Sequence, residues 1–463
     1  MKVLLVNPPR FNGIPVIREE RCEIVERNSI LPPYSLLQIG KILMELKHDV
    51  TLIDANGENL RFKELKLAGY DALIFRFTPT TFDYDMGVCK LFKKVNKNGK
   101  CIGICFTLRN VWKKVMIQAP DMDFFITGDF EVVLRNLFKD INKFKDIQGL
   151  AYRFKGKLYN KSYIRNGFDY DSLSIPAYTL LKSFDYYSIN TNIGERFSII
   201  YSSKGCPYNC NYCNVASTPL KMKSVSLVVE EVKLLKNYGV RLVSFFDETF
   251  TVNRERVLNI CAGLRGVGIR WYCNTRVNLV DLELLKIMKK SGCSGISFGV
   301  ESGSQKILDL SNKNVKIEEI IKAVKLCRIV GIKTYCAFMF GLPGEDWNTV
   351  KETFKFIRKL RPNGAQFNIA VPYPGTSLYE KFGNGLSWRD LFQDKALVSM
   401  CDLSIEELNK IRKKAYTNLY FNPFWLIGNF LFVLRNPYDF KLGIRYFFKI
   451  MKNYFFYGME KAH

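Results

Sequence analysis

From Phe197 onward the chain alternates short apolar runs with charged amphipathic stretches, and this alternation constrains its fold more than any other feature. The runs Phe197 to Ser202, Leu242 to Asp247, Arg270 to Asn274, Gly295 to Val300, Lys333 to Phe340 and Gln366 to Val371 predict strands. Between them, Ser226 to Tyr238, Arg254 to Leu264, Asp281 to Ser291, Lys316 to Val330 and Asn348 to Leu360 predict helices. A strand followed by a helix rejoins its own sheet through a right-handed crossover, so consecutive units build a curling parallel sheet. Six such units predict a partial (β/α)6 barrel with functional residues at the carboxyl ends of its strands.

The loop after the first of these strands reads Gly205-Cys206-Pro207-Tyr208-Asn209-Cys210-Asn211-Tyr212-Cys213. Thiolates at this spacing suit three corners of an iron-sulfur cube and leave the fourth iron open to another ligand. A structural zinc loop is the competing reading, because C-x2-C pairs are common zinc ligands. It needs a fourth donor, and the chain has two histidines, His48 and His463, but 13 cysteines. The C-x3-C-x2-C pattern, with an aromatic residue before its last Cys, resembles the radical S-adenosylmethionine (SAM) superfamily. The resemblance extends through the strand-end turns over roughly residues 195 to 385.

That resemblance implies a [4Fe-4S] cluster on Cys206, Cys210 and Cys213, with SAM on the open iron, cleaved to a 5'-deoxyadenosyl radical. It implies that Tyr212 packs on the adenine, and that Asp247 or Glu248, in Phe246-Asp247-Glu248-Thr249-Phe250, receives the SAM ammonium; a helix cap at Asp247 is the alternative. Arg276 is expected on the SAM carboxylate, or in a salt bridge to a neighbouring acid. Glu301 or Ser302, in Gly299-Val300-Glu301-Ser302-Gly303, is expected on the ribose or methionyl part. Gly341, in Gly341-Leu342-Pro343-Gly344-Glu345, permits backbone approach to the adenine, and Glu345 reads as a cap for the next helix. Pro372-Tyr373-Pro374-Gly375-Thr376 is a further turn similar to the family's.

Ahead of the barrel, strands at Val3 to Val6, Asp49 to Asp54, Ala72 to Phe77, Cys101 to Cys105 and Phe124 to Thr127, with helices at Pro33 to Leu46 and Asp85 to Asn96, predict an open Rossmann-like parallel sheet. No Gly-x-Gly-x-x-Gly follows the first strand, which disfavours a nicotinamide site. Asn7-Pro8-Pro9, Leu52-Ile53-Asp54-Ala55 and Gly128-Asp129-Phe130-Glu131 resemble the cobalamin-binding domain found ahead of many radical SAM cores. On that resemblance Thr78 and Gly128 are expected to contact a corrinoid. The Asp-x-His-x-x-Gly signature of a lower cobalt ligand is absent, and His48 falls in a helix-to-strand turn, where a structural role is expected. Phe106 and Phe130 stand where glycines are expected, so a retained fold that has lost its ligand stays open.

The expected organisation is therefore α/β: a cobalamin-binding-type domain at 1–148, a connector with short hairpins at 149–194, a radical SAM core at 195–385 and a helical region at 386–463. Phe424 to Leu434 and Arg445-Tyr446-Phe447-Phe448-Lys449 suit helices that close the barrel bottom or the substrate channel, or an amphipathic helix on a lipid surface. The N-terminal apolar run is too short for a signal peptide, and no run reaches the roughly 18 to 20 apolar residues of a membrane span, so a cytoplasmic protein, peripheral at the membrane at most, is expected. The formal charge is +25, from 69 Lys and Arg against 44 Asp and Glu, but the cations are spread along the chain, and nucleic-acid binding is disfavoured. The expected activity is cobalamin-dependent methylation of an unactivated carbon in a hydrophobic or lipid-like substrate, driven by a ferredoxin- or flavodoxin-type donor. Radical cyclisation, dehydrogenation or coupling without methyl transfer, and a non-catalytic metal-stapled binding or redox-sensing protein, are the alternatives.

Overall fold

The computed structural model describes residues 1–19, 22–25, 29–163, 168–189, 195–434 and 440. Its first sheet contains β1 (Lys2–Asn7), β2 (Asp49–Asp54), β3 (Ala72–Arg76), β4 (Lys100–Ile104), β5 (Phe124–Ile126), β6 (Leu150–Phe154) and β7 (Lys157–Asn160). Their spatial order is β2-β1-β3-β4-β5-β6-β7, with the first five parallel and the last two antiparallel. Side chains alternate between the sheet's faces. Val3, Leu5 and Ile74 meet the helix Tyr34–Glu45 on one face, while Leu4, Val6 and Phe75 meet Phe82–Val95 on the other. Burial on both faces explains the unbroken apolar run of β1.

Three features differ from the sequence expectation. The helix expected from Asp85 starts at Phe82, so Asp83 and Asp85 lie in its first turn, where the helix dipole favours them. The helices Trp112–Gln118 and Phe130–Lys139 are additional to the expected elements. The hairpin β6–β7, expected in the connector, continues the first sheet, with Phe124 opposite Tyr152. Beyond it, Tyr178 reaches across to the second half of the chain, where its hydroxyl donates to Glu231 at 2.8 Å.

The second sheet has six parallel strands in sequential order: β8 (Phe197–Ile200), β9 (Leu242–Phe245), β10 (Arg270–Thr275), β11 (Cys293–Glu301), β12 (Lys333–Phe340) and β13 (Gly364–Ile369). Burial alternates along β10 and β12, because Trp271, Cys273, Cys336 and Phe338 pack under the helices while Tyr272, Asn274, Tyr335 and Ala337 face the lumen. The lumen keeps a cavity of ≈ 380 Å³. The barrel does not close, and the last strand would leave an open edge. The helix Ile405–Tyr420 covers it: the Tyr420 hydroxyl accepts from Ala365 N and donates to Ala365 O, both at 3.1 Å, and Arg412 Nε donates to Phe367 O at 2.8 Å.

The two sheets share one continuous apolar core. Within their interface Lys223 and Glu231 form a fully buried pair at 2.8 Å, and the Tyr34 and Tyr178 hydroxyls complete the carboxylate's partners. The helix Pro423–Leu434 follows the edge-covering helix and rests on the barrel bottom, where Trp425 Nε1 donates to Pro362 O at 2.7 Å. The Arg445 to Lys449 segment, residues 164–167 and 190–194 of the expected connector, and the rest of the chain after Leu434 apart from residue 440 lie outside the described residues.

Candidate functional site

The cysteine loop leaves the carboxyl end of β8 and is fixed along its length. Gly205 begins it at φ +93°, and a Cβ there would lie 2.1 Å from Pro219 O, so only glycine fits. Cys206 N donates to Thr218 Oγ1 at 3.0 Å, Asn211 N to Ser311 O at 3.2 Å, and Ser377 Oγ to Asn211 O at 3.0 Å. Cys206, Cys210 and Cys213 are all reduced. Among the described residues no three His, Cys, Asp or Glu side chains converge on one ion, as a mononuclear zinc site would require at about 2.3 Å per sulfur. Burial pushes the Cys213 thiol up to about 12.

Arg276, after β10, comes to this loop. Its Nη1 donates to Cys210 Sγ at 3.7 Å, its guanidinium stacks 3.9 Å from the Tyr208 ring centroid, and it also donates to Lys313 O and Asn278 Oδ1. Among the described residues the expected salt bridge to a strand-end acid does not form. Glu301 ends β11 at φ +67° and pairs with Lys313 at 3.0 Å; Lys313 Nζ also donates to the Tyr212 hydroxyl at 3.4 Å. Tyr212 packs with Leu342, Ala370 and Met339 at the ends of β12 and β13, and burial, reinforced by Glu301, raises its hydroxyl well above 10. Cys206, Cys210, Tyr212, Arg276 and Glu301 are thus linked through contacts at one barrel face, together with Thr249, whose hydroxyl lies 3.8 Å from Cys206 Sγ.

Other expected site residues are used differently. Asp247 has no exposed surface and caps no helix; it accepts from Ser202 N at 2.8 Å, Ser202 Oγ at 2.6 Å and Ser203 Oγ at 2.7 Å, tying β9 to β8. Glu248 follows it directly in the β9 loop. Ser302 Oγ lies 3.2 Å from Thr353 Oγ1 and accepts from Ser304 N at 3.2 Å, which organises the turn after β11. Gly341 adopts φ +88°, and its N–H donates to Glu345 at 2.5 Å. Glu345 is not the helix cap expected: Asp346 caps the helix Trp347–Leu360, and Glu345 is wholly buried under the Gly341 turn with Oε1 unpartnered. Desolvation raises its carboxyl to about 8.

In the first sheet, the carboxyl ends of β1 and β3 flank the topological switch point, where open α/β sheets bind ligands. Here the position is filled from within. Arg18 pairs with Asp85 at 2.7 Å and donates to Pro8 O and Pro9 O; Asn7 donates to Asp54 at 2.7 Å. Thr78 has no exposed surface and bonds to Thr81 and Asp85. Gly128 lies under the Tyr163 ring, with room for no Cβ, against Gly149. Thr78 is thus enclosed within the first sheet's own turns, while Asp129, next to Gly128, pairs with Lys221 beyond the cysteine loop. His48 has the structural role expected, at the amino end of β2, with Nε2 2.9 Å from Phe138 O. The first sheet meets the cysteine loop through Arg109 and Asn110, after β4, across a cavity of ≈ 260 Å³ bordered by Cys210, Cys213, Asn214 and Thr376.

Lys313, Thr249, Tyr208 and Arg109 were not singled out from sequence. No spacing marks Lys313 or Arg109; Tyr208 lies inside the cysteine motif and Thr249 inside Phe246-Asp247-Glu248-Thr249-Phe250, and each of the four reaches the site from a different loop.

Comparison with known proteins agrees with this arrangement. The radical SAM superfamily pattern matches residues 200–357. An uncharacterized methyltransferase of Pyrococcus horikoshii is 32% identical over 452 residues, covering 92% of this chain and 94% of that one. An anaerobic magnesium-protoporphyrin IX monomethyl ester cyclase of Cereibacter sphaeroides is 29% identical over 286 residues, 58% of this chain but 46% of the cyclase. Among solved structures, the radical SAM methyltransferase TsrM of Kitasatospora setae, with cobalamin and a [4Fe-4S] cluster bound, has the same fold (TM-score 0.67, 16% identity, 81% of this chain and 76% of that one). The cobalamin-dependent SAM radical enzyme OxsB also shares it (TM-score 0.64, 17% identity, 90% of this chain and 55% of that one). With its cysteine loop on a six-stranded parallel barrel and a relative of this identity along nearly its whole length, the chain belongs to the radical SAM superfamily of enzymes.

Proposed function

We propose that this enzyme is a cobalamin-dependent radical SAM methyltransferase acting on an unactivated carbon. The observation that carries the reading is the loop of Cys206, Cys210 and Cys213, anchored at the carboxyl end of β8 with Arg276, Tyr212 and Glu301 linked to it. Three reduced thiols on one anchored loop fit three irons of a [4Fe-4S] cluster. When bound, such a cluster passes an electron from a ferredoxin- or flavodoxin-type donor to SAM, whose carbon-sulfur bond breaks to methionine and a 5'-deoxyadenosyl radical.

The chain's own residues then have definite tasks. Arg276 supplies a fixed cation beside Cys210, suited to the SAM carboxylate. Glu248 and Glu301 offer carboxylates for the ammonium and ribose hydroxyls. Tyr212 offers an aromatic face, and the Gly341 turn a close backbone approach, to the adenine. Asp247 and Ser302 hold the strand ends in position from behind. The enclosing barrel keeps a carbon radical away from water and stray C–H bonds.

The support for cobalamin is the position of the first sheet, whose β4 loop faces the cysteine loop. Arg109, Asn110, Asn214 and Thr376 present hydrogen-bonding groups in that cleft for an amide-rimmed corrinoid, whose chemistry when bound is methyl carriage. The hydrophobic or lipid-like substrate is supported by the lumen, whose lining includes Tyr272, Tyr335, Ala337, Ala365 and Tyr420 and, among the described residues, no Lys, Arg, Asp or Glu to neutralise a charged ligand. The burial of Thr78, with the Tyr163 ring over Gly128, favours a second reading, radical cyclisation or coupling without a corrinoid.

The test is mass spectrometry of anaerobically reconstituted enzyme with reductant, SAM and a lipid extract, with and without hydroxocobalamin. Methylation requires S-adenosylhomocysteine to rise with hydroxocobalamin while 5'-deoxyadenosine forms. Deoxyadenosine without a cobalamin effect selects the second reading; neither product, in protein carrying iron, refutes both.

A further inference from the structure

The barrel end opposite the cysteine loop carries an apolar helix that the protein's own described residues leave uncovered. The helix Pro423–Leu434 contains no charged residue, and Phe424 (70%), Ile427 (58%), Phe430 (57%) and Leu431 (53%) are exposed. Phe421, just before it, is 72% exposed. Scattered exposed leucines need no explanation, whereas a contiguous aromatic and aliphatic patch does. The helix is nevertheless anchored at a set height: Trp425 Nε1 bonds Pro362 O, and the Asn429 side chain accepts from Asn363 Nδ2 at 3.0 Å.

A second observation comes from charge. The barrel helices end at this face, and their last turns carry Lys236, Lys289 and Lys290, Arg328, and Arg358 and Lys359. The caps Arg265 and Arg361 add two more. Cations at helix ends complement the helix dipole, which accounts for their positions one by one. Arg328, which donates to Leu360 O at 3.3 Å and Arg361 O at 2.7 Å at the end of the neighbouring helix, lines one groove with Arg361, Phe424, Trp425 and Leu431, so these cations stand directly beside the apolar helix. Glu195, at the same end of the barrel, is paired with Arg270.

We infer that this face docks on an anionic lipid bilayer, with the helix Pro423–Leu434 lying in the interface plane and the basic helix ends set against lipid phosphates. At 1.5 Å per residue its 12 residues extend about 18 Å, short of the ~30 Å hydrocarbon core, so it lies on the membrane and does not cross it. No helix among the described residues is long and apolar enough to cross. An apolar face rimmed by cations is the chemistry such binding uses. The docked face lies at the lumen end lined by Tyr420, which leaves the cysteine loop clear at the opposite end for a reductant.

The test is co-sedimentation of the full chain with vesicles of two parts phosphatidylcholine to one part phosphatidylglycerol, and with pure phosphatidylcholine. Binding to the anionic vesicles is expected, weakened at least about fivefold on pure phosphatidylcholine, and weakened by at least about fivefold for each cation reversed in R358E/R361E. F424E/I427E/F430E is expected to abolish pelleting while SAM cleavage and near-ultraviolet circular dichroism match the parent, because the helix lies away from the site. Equal pelleting of parent and triple variant overturns the proposal. So does a parent that fails to bind vesicles but elutes as a dimer that the triple variant converts to monomer, which would make this face an interface between two copies of the chain.

Discussion

Replacing Glu345 by Gln should make the protein more stable at neutral pH and remove a specific part of its pH dependence. Glu345 is fully buried, one oxygen accepts from Gly341 N, and the other has no partner. Desolvation raises its pKa from 4.5 to about 8. Between those values the folded protein holds a proton that the unfolded chain releases, so stability is full below the unfolded pKa and falls as pH rises toward the folded one. Each pH unit costs about 1.4 kcal/mol, so between pH 5 and pH 8 the loss approaches ~4 kcal/mol. Local relaxation lowers this, and about 2 kcal/mol is the smallest effect consistent with the burial. Glutamine keeps the acceptor for Gly341 N and does not ionise. The assay is urea denaturation of parent and E345Q at pH 5, 6.5 and 8, taking the difference of differences so that titrations common to both cancel. The variant should gain about 2 to 4 kcal/mol on the parent across that range. Parallel pH profiles would show that the folded carboxyl titrates normally and that the burial argument is wrong.

Serine at Cys206, Cys210 or Cys213 should each cut reconstituted iron and bring 5'-deoxyadenosine below detection; an active variant with full iron would remove that cysteine from the ligand set. Lys313→Met leaves Glu301 buried without its cation and should destabilise by about 3 kcal/mol, as read by chemical denaturation, with E301Q/K313M recovering most of it. If the double variant is no better than the single, the pair contributes through packing instead of charge. Gly205→Ala should halve or worse the iron incorporated per chain with the far-ultraviolet spectrum unchanged, since the added methyl meets Pro219 O; normal loading would mean that the loop relaxes freely.

The strands and helices of the barrel were legible because each βα unit prints two periods in turn, and the order of units fixes the order of parallel strands. The cluster loop was legible for the same local reason: three cysteines within eight residues need no partner from elsewhere. Arg276 and Glu301 could be nominated from strand-end position, but not their contacts. Only the folded chain sets Arg276 against Cys210 and Tyr208, joins Glu301 to Lys313, and turns Asp247 back on Ser202 and Ser203. A carboxylate beside a strand end reads the same in sequence whether it faces a ligand or a neighbouring hydroxyl. The cap at Asp346 in place of Glu345 was missed because adjacent acids are equivalent until the backbone chooses which one has extended geometry. In the first sheet, sequence determined the parallel architecture through its apolar runs. The covering of Gly128 by Tyr163 and the filling of the switch point by Arg18 depend on residues brought together from distant turns, and only tertiary packing decides them.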